Sequence, residues 1–128
     1  MDFNDEHAIE TYKSLISISV EGLKALQLVN GGAVVALLAY LGQVSNRAEL
    51  ASNVKCPLAF FVLGLVTSTA AFFGSYQTQL ALYNESIRKD EYKGPKHQVW
   101  LRVALILALV SLVSFALGSF ATVNALAR

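Results

Sequence analysis

Val29-Asn30-Gly31-Gly32-Ala33-Val34-Val35-Ala36-Leu37-Leu38-Ala39-Tyr40-Leu41-Gly42 is the stretch that decides the fold. It is strongly apolar, yet it holds a glycine pair beside a single amide. Each glycine in a helix interior costs about 1 kcal/mol relative to alanine, so a soluble core helix rarely keeps two. A membrane helix uses them, because a missing side chain lets a second backbone come close. The stretch reads as part of a first membrane span, 25–44, and as a packing face.

The rest of the chain agrees with that reading. Of 128 residues, 55% are hydrophobic and only 15% charged, with a mean hydropathy of +0.50. An average chain carries about 25% charged residues. The charges that remain cluster before residue 25, around 46–55 and around 85–102. Between the clusters lie uncharged runs long enough for a helix to cross a hydrocarbon core of about 30 Å. They place a second span at 57–76 and a third at 103–123. The expected fold is an all-α integral membrane protein, one domain over 1–128, with three transmembrane helices.

Residues 4–24 form an amphipathic segment, with Ile9, Tyr12, Ile16, Val20 and Leu23 at helical spacing. It is expected to pack on the remainder of the chain, on a sister subunit, or along lipid. No proline separates it from the first span, so the two can be one rod, with Asn30-Gly31-Gly32 the place for a bend. Residues 45–56 read as a polar connection, and Pro57 as the first turn of the next helix, where proline is welcome. That helix is expected to continue past Tyr76 to about residue 92, where Lys93-Gly94-Pro95 separates it from the third. Trp100 and Arg102 stand at the entrance of the third span as interfacial anchors. The acidic start, Asp2 to Glu6, lacks the basic opening of a secretory signal, so the first span is expected to persist as an anchor.

Basic residues set orientation. Lys13, Lys24, Arg88, Lys89, Lys93, Lys96 and Arg102 fall on one side, and Arg47, Lys55 and Arg128 on the other. That places the N-terminus in the cytoplasm and the C-terminus outside. It also brings the N-terminal acids to the same side as the basic segment 88–102, so the amphipathic segment is expected to lie near the extension of the second helix.

Several function classes lose ground. No Asp, Glu, Lys, Arg or His lies in the middle of a span, whereas proton relays, voltage sensors and many ion-coupled transporters need such a group. The sequence shows no nucleotide-binding loop, hydrolase elbow or zinc-protease helix. The one cysteine, Cys56, reads as a small apolar filler, and His7 and His97 as surface or interface residues. No catalytic residue, cofactor or metal site is expected, and the net charge of +1 gives no electrostatic case for nucleic acid.

What the spans carry is small residues at helical spacing: Gly32 and Ala36; Gly64 and Ser68, then Ala70 and Gly74; Ala104, Ala108 and Ser111, then Ser114 and Gly118. Such pairs let helices approach closely in lipid. Asn30 differs from the hydroxyls, which can bond back to their own helix. Its amide is expected to bond across helices, near the boundary where the amphipathic segment enters lipid. The expected packing residues are Asn30, Gly31, Gly32, Ala36, Gly64, Ser68, Gly74 and Gly118.

The segment from Leu26 to Gly42 resembles the first span of small uncharacterised bacterial three-span membrane proteins, which carry an Asn-Gly-Gly-Ala block before an Ala-Leu-Leu-Ala run. The resemblance implies a bacterial inner-membrane location and brings no activity with it. Three-span phage holins are similar in size and span count only. The expected function is that of a non-enzymatic membrane protein, partnered by the lipid bilayer, that self-assembles as a pore or membrane-perturbing effector. The alternative is an accessory or anchoring subunit of a partner membrane complex.

Overall fold

The computed structural model describes residues 3–88 and 93–127. Among them are three helices and no strand: α1 (Phe3–Gln43), α2 (Ala48–Ile87) and α3 (His97–Leu126). Each is long and apolar enough to cross a membrane. Contacts between α2 and α3 dominate; α1 lies against α2 and meets α3 at few points.

α1 passes through Asn30-Gly31-Gly32 with no break in the helix. In an apolar surrounding an unpaired backbone group costs several kcal/mol, which outweighs the glycine penalty and keeps the helix closed. Residues 4–24 and 25–44 are therefore one element. Its N-terminal half stands alongside α2, where the Tyr12 hydroxyl donates to Gln79 Oε1 at 3.1 Å. Further along, Gln27 Nε2 donates to Thr69 Oγ1 at 3.2 Å, so the two helices run antiparallel.

Pro57 does not open a helix. α2 begins at Ala48, and Pro57 lies inside it, fully buried. A proline there removes one backbone bond of the helix. Packing offsets that loss: Val54, Pro57 and Phe61 form one buried face at helical spacing. Phe61 seats its ring on Gly118 and tilts against Phe115, with centroids 5.7 Å apart. The connection between α1 and α2 is thus four residues, 44–47, closed by Arg47 N–H to Val44 O at 2.8 Å. α2 runs on past Tyr76 to Ile87; residues 89–92, where it was expected to continue, lie outside those described. α3 starts six residues before the third span as read from the sequence, and Pro95 precedes its first residue by two.

The helices are arranged with small residues inside and large ones outside. On α3 the buried positions are Ala104, Ser111, Ser114 and Gly118, while Ile106, Leu109 and Phe120 face outward with 60–70% exposure. In water such an exterior would be a large apolar patch. In lipid it is the expected surface, since close backbone packing, not burial of leucine, holds the bundle together.

Glu85 of α2 ties that helix to the start of α3. Glu85 Oε1 accepts the backbone N–H of His97 at 2.7 Å, and its Oε2 meets His97 Nδ1 at 2.8 Å. Lys96, the residue that precedes α3, supplies no side-chain cap. Glu85 therefore reaches from α2 to do the work of an N-cap, with its charge favourably placed at a helix start. The hydrogen bond from the His97 side chain, and next that from its backbone, hold the Glu85 carboxyl below its ordinary value of 4.5. A lowered carboxyl pKa contributes stability that is present above 4.5 and is lost as pH falls through the folded-state value. Unfolding measured against pH should therefore show a loss below 4.5 in the natural chain. In Glu85→Gln that acid limb is expected to flatten; an unchanged acid limb would remove Glu85 from this role.

Candidate functional site at a three-helix polar node

Asn30 is the centre of the molecule's interior. Its side chain is fully buried, an unusual state for an amide, and it touches both other helices. Nδ2 donates to Leu26 O of its own helix at 2.9 Å and to Ser111 Oγ of α3 at 3.2 Å. Ser111 Oγ in turn donates to Gly64 O of α2 at 2.7 Å. The order of donors is forced, because Ser111 has one proton and gives it to a carbonyl, leaving its oxygen to accept from Asn30. A single chain of bonds therefore runs from α1 through α3 to α2. Bonds in such a chain polarise one another in a medium of low dielectric.

The third side of the amide is shaped by an absence. Asn30 Oδ1 is buried with no hydrogen-bond partner, and it faces Gly64. A Cβ on Gly64 would overlap Oδ1 and lie 2.6 Å from Asn30 Cγ. The glycine thus opens the space the amide occupies and turns its Cα–H toward Oδ1, the weak contact that recurs at helix interfaces. Gly74 has a related role, since a Cβ there would stand 3.2 Å from Ala104 Cβ and 3.4 Å from its Cα. Ser68 is fully buried and bonds back to Leu65 O, and Thr67 and Thr78 likewise satisfy themselves within α2.

The node is not near the edge of the apolar zone. Gly64 stands nine residues beyond Lys55, and Ser111 nine beyond Arg102. By joining Asn30 to them, the fold carries it to the interior of both uncharged runs. The same register brings Lys24 closer to that zone than the sequence suggests. Lys24 Nζ meets Glu21 Oε1 at 2.9 Å on the exposed side of α1, so the two charges offset each other there.

The expected packing residues divide into two groups. Asn30, Gly64, Ser68, Gly74 and Gly118 lie inside the bundle; Gly31 is half-buried, and a Cβ there would stand 3.7 Å from Leu65 Cδ1. Gly32 and Ala36 do not contribute to it: both are exposed, and a Cβ on Gly32 would meet nothing within 4 Å. Helix α1 turns these two away because Asn30 and Leu37 already define the opposite face. Trp100 is half-buried and Arg102 exposed near the start of α3. Cys56 is exposed rather than buried. Ser111, which links the node, is one of the small residues of the third span but is not among the expected packing residues. The signal was its place in the heptad-spaced row Ala104, Ser111, Gly118.

Together the inverted surface and the small-residue interior define an all-helical bundle with three candidate membrane spans. Set against protein-family models, curated proteins and solved structures, the chain matches none of them.

Proposed function

We propose that this chain is a non-enzymatic protein of a bacterial inner membrane that self-assembles through close helix packing, acting as a pore or membrane-perturbing effector. The reading keeps the N-terminus and the 88–102 segment in the cytoplasm and the C-terminus outside, as the basic residues favour. The observation that carries it is the outward position of Gly32 and Ala36. Their small size allows a close backbone approach, and the chain's own helices do not use it. The donors of the node are spent on one another and on backbone carbonyls, and Asn30 Oδ1, which has no partner, is closed in against Gly64. A path for ions would therefore have to run between copies.

Native mass measurement in mild detergent tests this. The expected result is a defined multiple of 13.8 kDa. Gly32→Leu is expected to lower it to the single-chain mass while leaving the node intact, because a Cβ at that position would meet nothing within 4 Å among the described residues. An unchanged assembly in Gly32→Leu would exclude this face. Leakage of dye or ions from vesicles containing the assembled chain supports the pore. Recovery as a single copy bound to one fixed partner would instead make the chain an accessory subunit.

A further inference from the structure

A groove of about 300 Å³ lies between the first part of α2 and the last part of α3, at the end of the bundle away from the Glu85–His97 contact. It is lined by Asn53, Cys56 and Pro57 of α2 and by Phe120, Ala121 and Asn124 of α3. The antiparallel register that seats Phe61 on Gly118 brings Asn53 level with Asn124. Asn124 directly follows the third span as read from the sequence, and Asn53 comes four residues before the second. The groove therefore stands at the edge of the apolar zone, at the level of lipid headgroups.

Pro57 gives this groove an acceptor. Within a helix each carbonyl accepts from the N–H four residues on. For Asn53 that residue is Pro57, which has no N–H. The Asn53 carbonyl is left outside the helix ladder, on the strip of α2 between two residues that line the groove. At a membrane edge such a group needs a donor from elsewhere. The side chains of Asn53 and Asn124 add an amide oxygen each, and both residues are exposed. Among the described residues, no charged side chain lines the groove. It thus offers three neutral oxygens and, in Phe120, an aromatic ring.

That set matches a primary ammonium, which carries three N–H donors and no acceptor. A ring face attracts such a cation further. A quaternary ammonium has no N–H to give, and a glycerol headgroup brings no cation. A bare phosphate would meet the Asn53 carbonyl oxygen, which repels it. Lys55 stands exposed at the same level of α2, so it opposes a lone cation but favours one that carries its own phosphate. We propose that the groove binds the headgroup of a phospholipid bearing a primary ammonium, as phosphatidylethanolamine does, with the ammonium on Asn53 O, Asn53 Oδ1 and Asn124 Oδ1. The inference needs the membrane reading but neither self-assembly nor a choice of sides.

Native mass measurement tests the site on the full chain in mild detergent, supplied with phosphatidylethanolamine, phosphatidylcholine or phosphatidylglycerol of matched acyl chains. The expected result is one phosphatidylethanolamine retained per chain under conditions that strip the other two. Asn124→Leu is expected to lower that retention about tenfold, the effect of losing one hydrogen bond to a charged group. Asn124→Asp is expected to raise it, since a carboxylate holds the ammonium more strongly than an amide does. Asn124 is exposed, so neither change disturbs the bundle. Pro57→Ala returns an N–H to the Asn53 carbonyl and is expected to lower retention as well. Equal retention of the three lipids, a preference for phosphatidylglycerol, or retention unaltered by both Asn124 changes would overturn the proposal. The copy number read in the same spectra bears on self-assembly alone, so the two readings fail separately.

Discussion

Gly64→Ala is expected to unseat α1 from the α2–α3 pair. The added methyl would occupy the volume now held by the Asn30 amide, 2.6 Å from Cγ and 2.9 Å from Nδ2. A long surface side chain could swing aside. Asn30 cannot do so without loss, because it is fully buried and its Nδ2 is bonded on two sides. Overpacking of this kind costs about 1–3 kcal/mol. Displacing the amide adds the interhelical bond, about 0.6 kcal/mol in a membrane protein. α1 has few other ties to α3, so the loss is expected to appear as separation of α1, read as weakening of the Tyr12–Gln79 contact by spin-label distance. Reversible unfolding in mixed micelles gives the magnitude. The second arm is Asn30→Ala, which removes the obstacle. The double variant is expected to be more stable than the sum of the two single losses, with a coupling of about 0.5–3 kcal/mol. Additive losses, or Gly64→Ala within about 0.5 kcal/mol of the natural chain, would refute the close fit.

Asn30→Asp is expected to have the larger effect of the two. The change is nearly isosteric, so packing is kept and chemistry alone changes. The lost donor leaves Leu26 O and Ser111 Oγ facing a carboxylate oxygen where they now face an N–H. A charged side chain at the centre of a span costs about 2.5–3.5 kcal/mol on insertion scales. No cation is among the residues bonded at the node to offset it. Ser111→Ala is the gentler comparison. It breaks the link between α1 and α2 without introducing charge, and about 1 kcal/mol is expected. The order of unfolding free energies should be the natural chain, then Ser111→Ala, then Asn30→Asp. A natural level of stability in Asn30→Asp would mean that the node is open to water.

These expectations concern a site whose parts were unequally legible. Asn30 stood out because an amide in an apolar run has few ways to be satisfied locally. Gly64 and Gly74 stood out because lipid-embedded helices place small residues where backbones meet. Ser111 was legible as a small residue of the third span but not as a link between helices, since a serine in a span is usually content with its own helix, as Ser119 and Thr122 are. Pro57 was misread for a physical reason: a proline near polar residues resembles a helix start. Only the burial of Val54 and Phe61, in one cluster with Leu37 of α1 and with Phe61 against Gly118 and Phe115 of α3, shows why the helix persists around it.

The amino-acid sequence by itself determined that the chain is apolar enough to form three membrane spans, and where charges interrupt them. Hydropathy and helical period are local properties, so a single strand of text carries them. Depth and direction are not local. That Asn30 sits level with the interiors of α2 and α3 follows from how far the antiparallel helices slide past one another. That slide is decided by where Gly64, Gly74 and Gly118 allow the closest approach. The same register turns Gly32 and Ala36 outward. It converts the stretch that began as a packing face into two faces, one spent on the node and one left free.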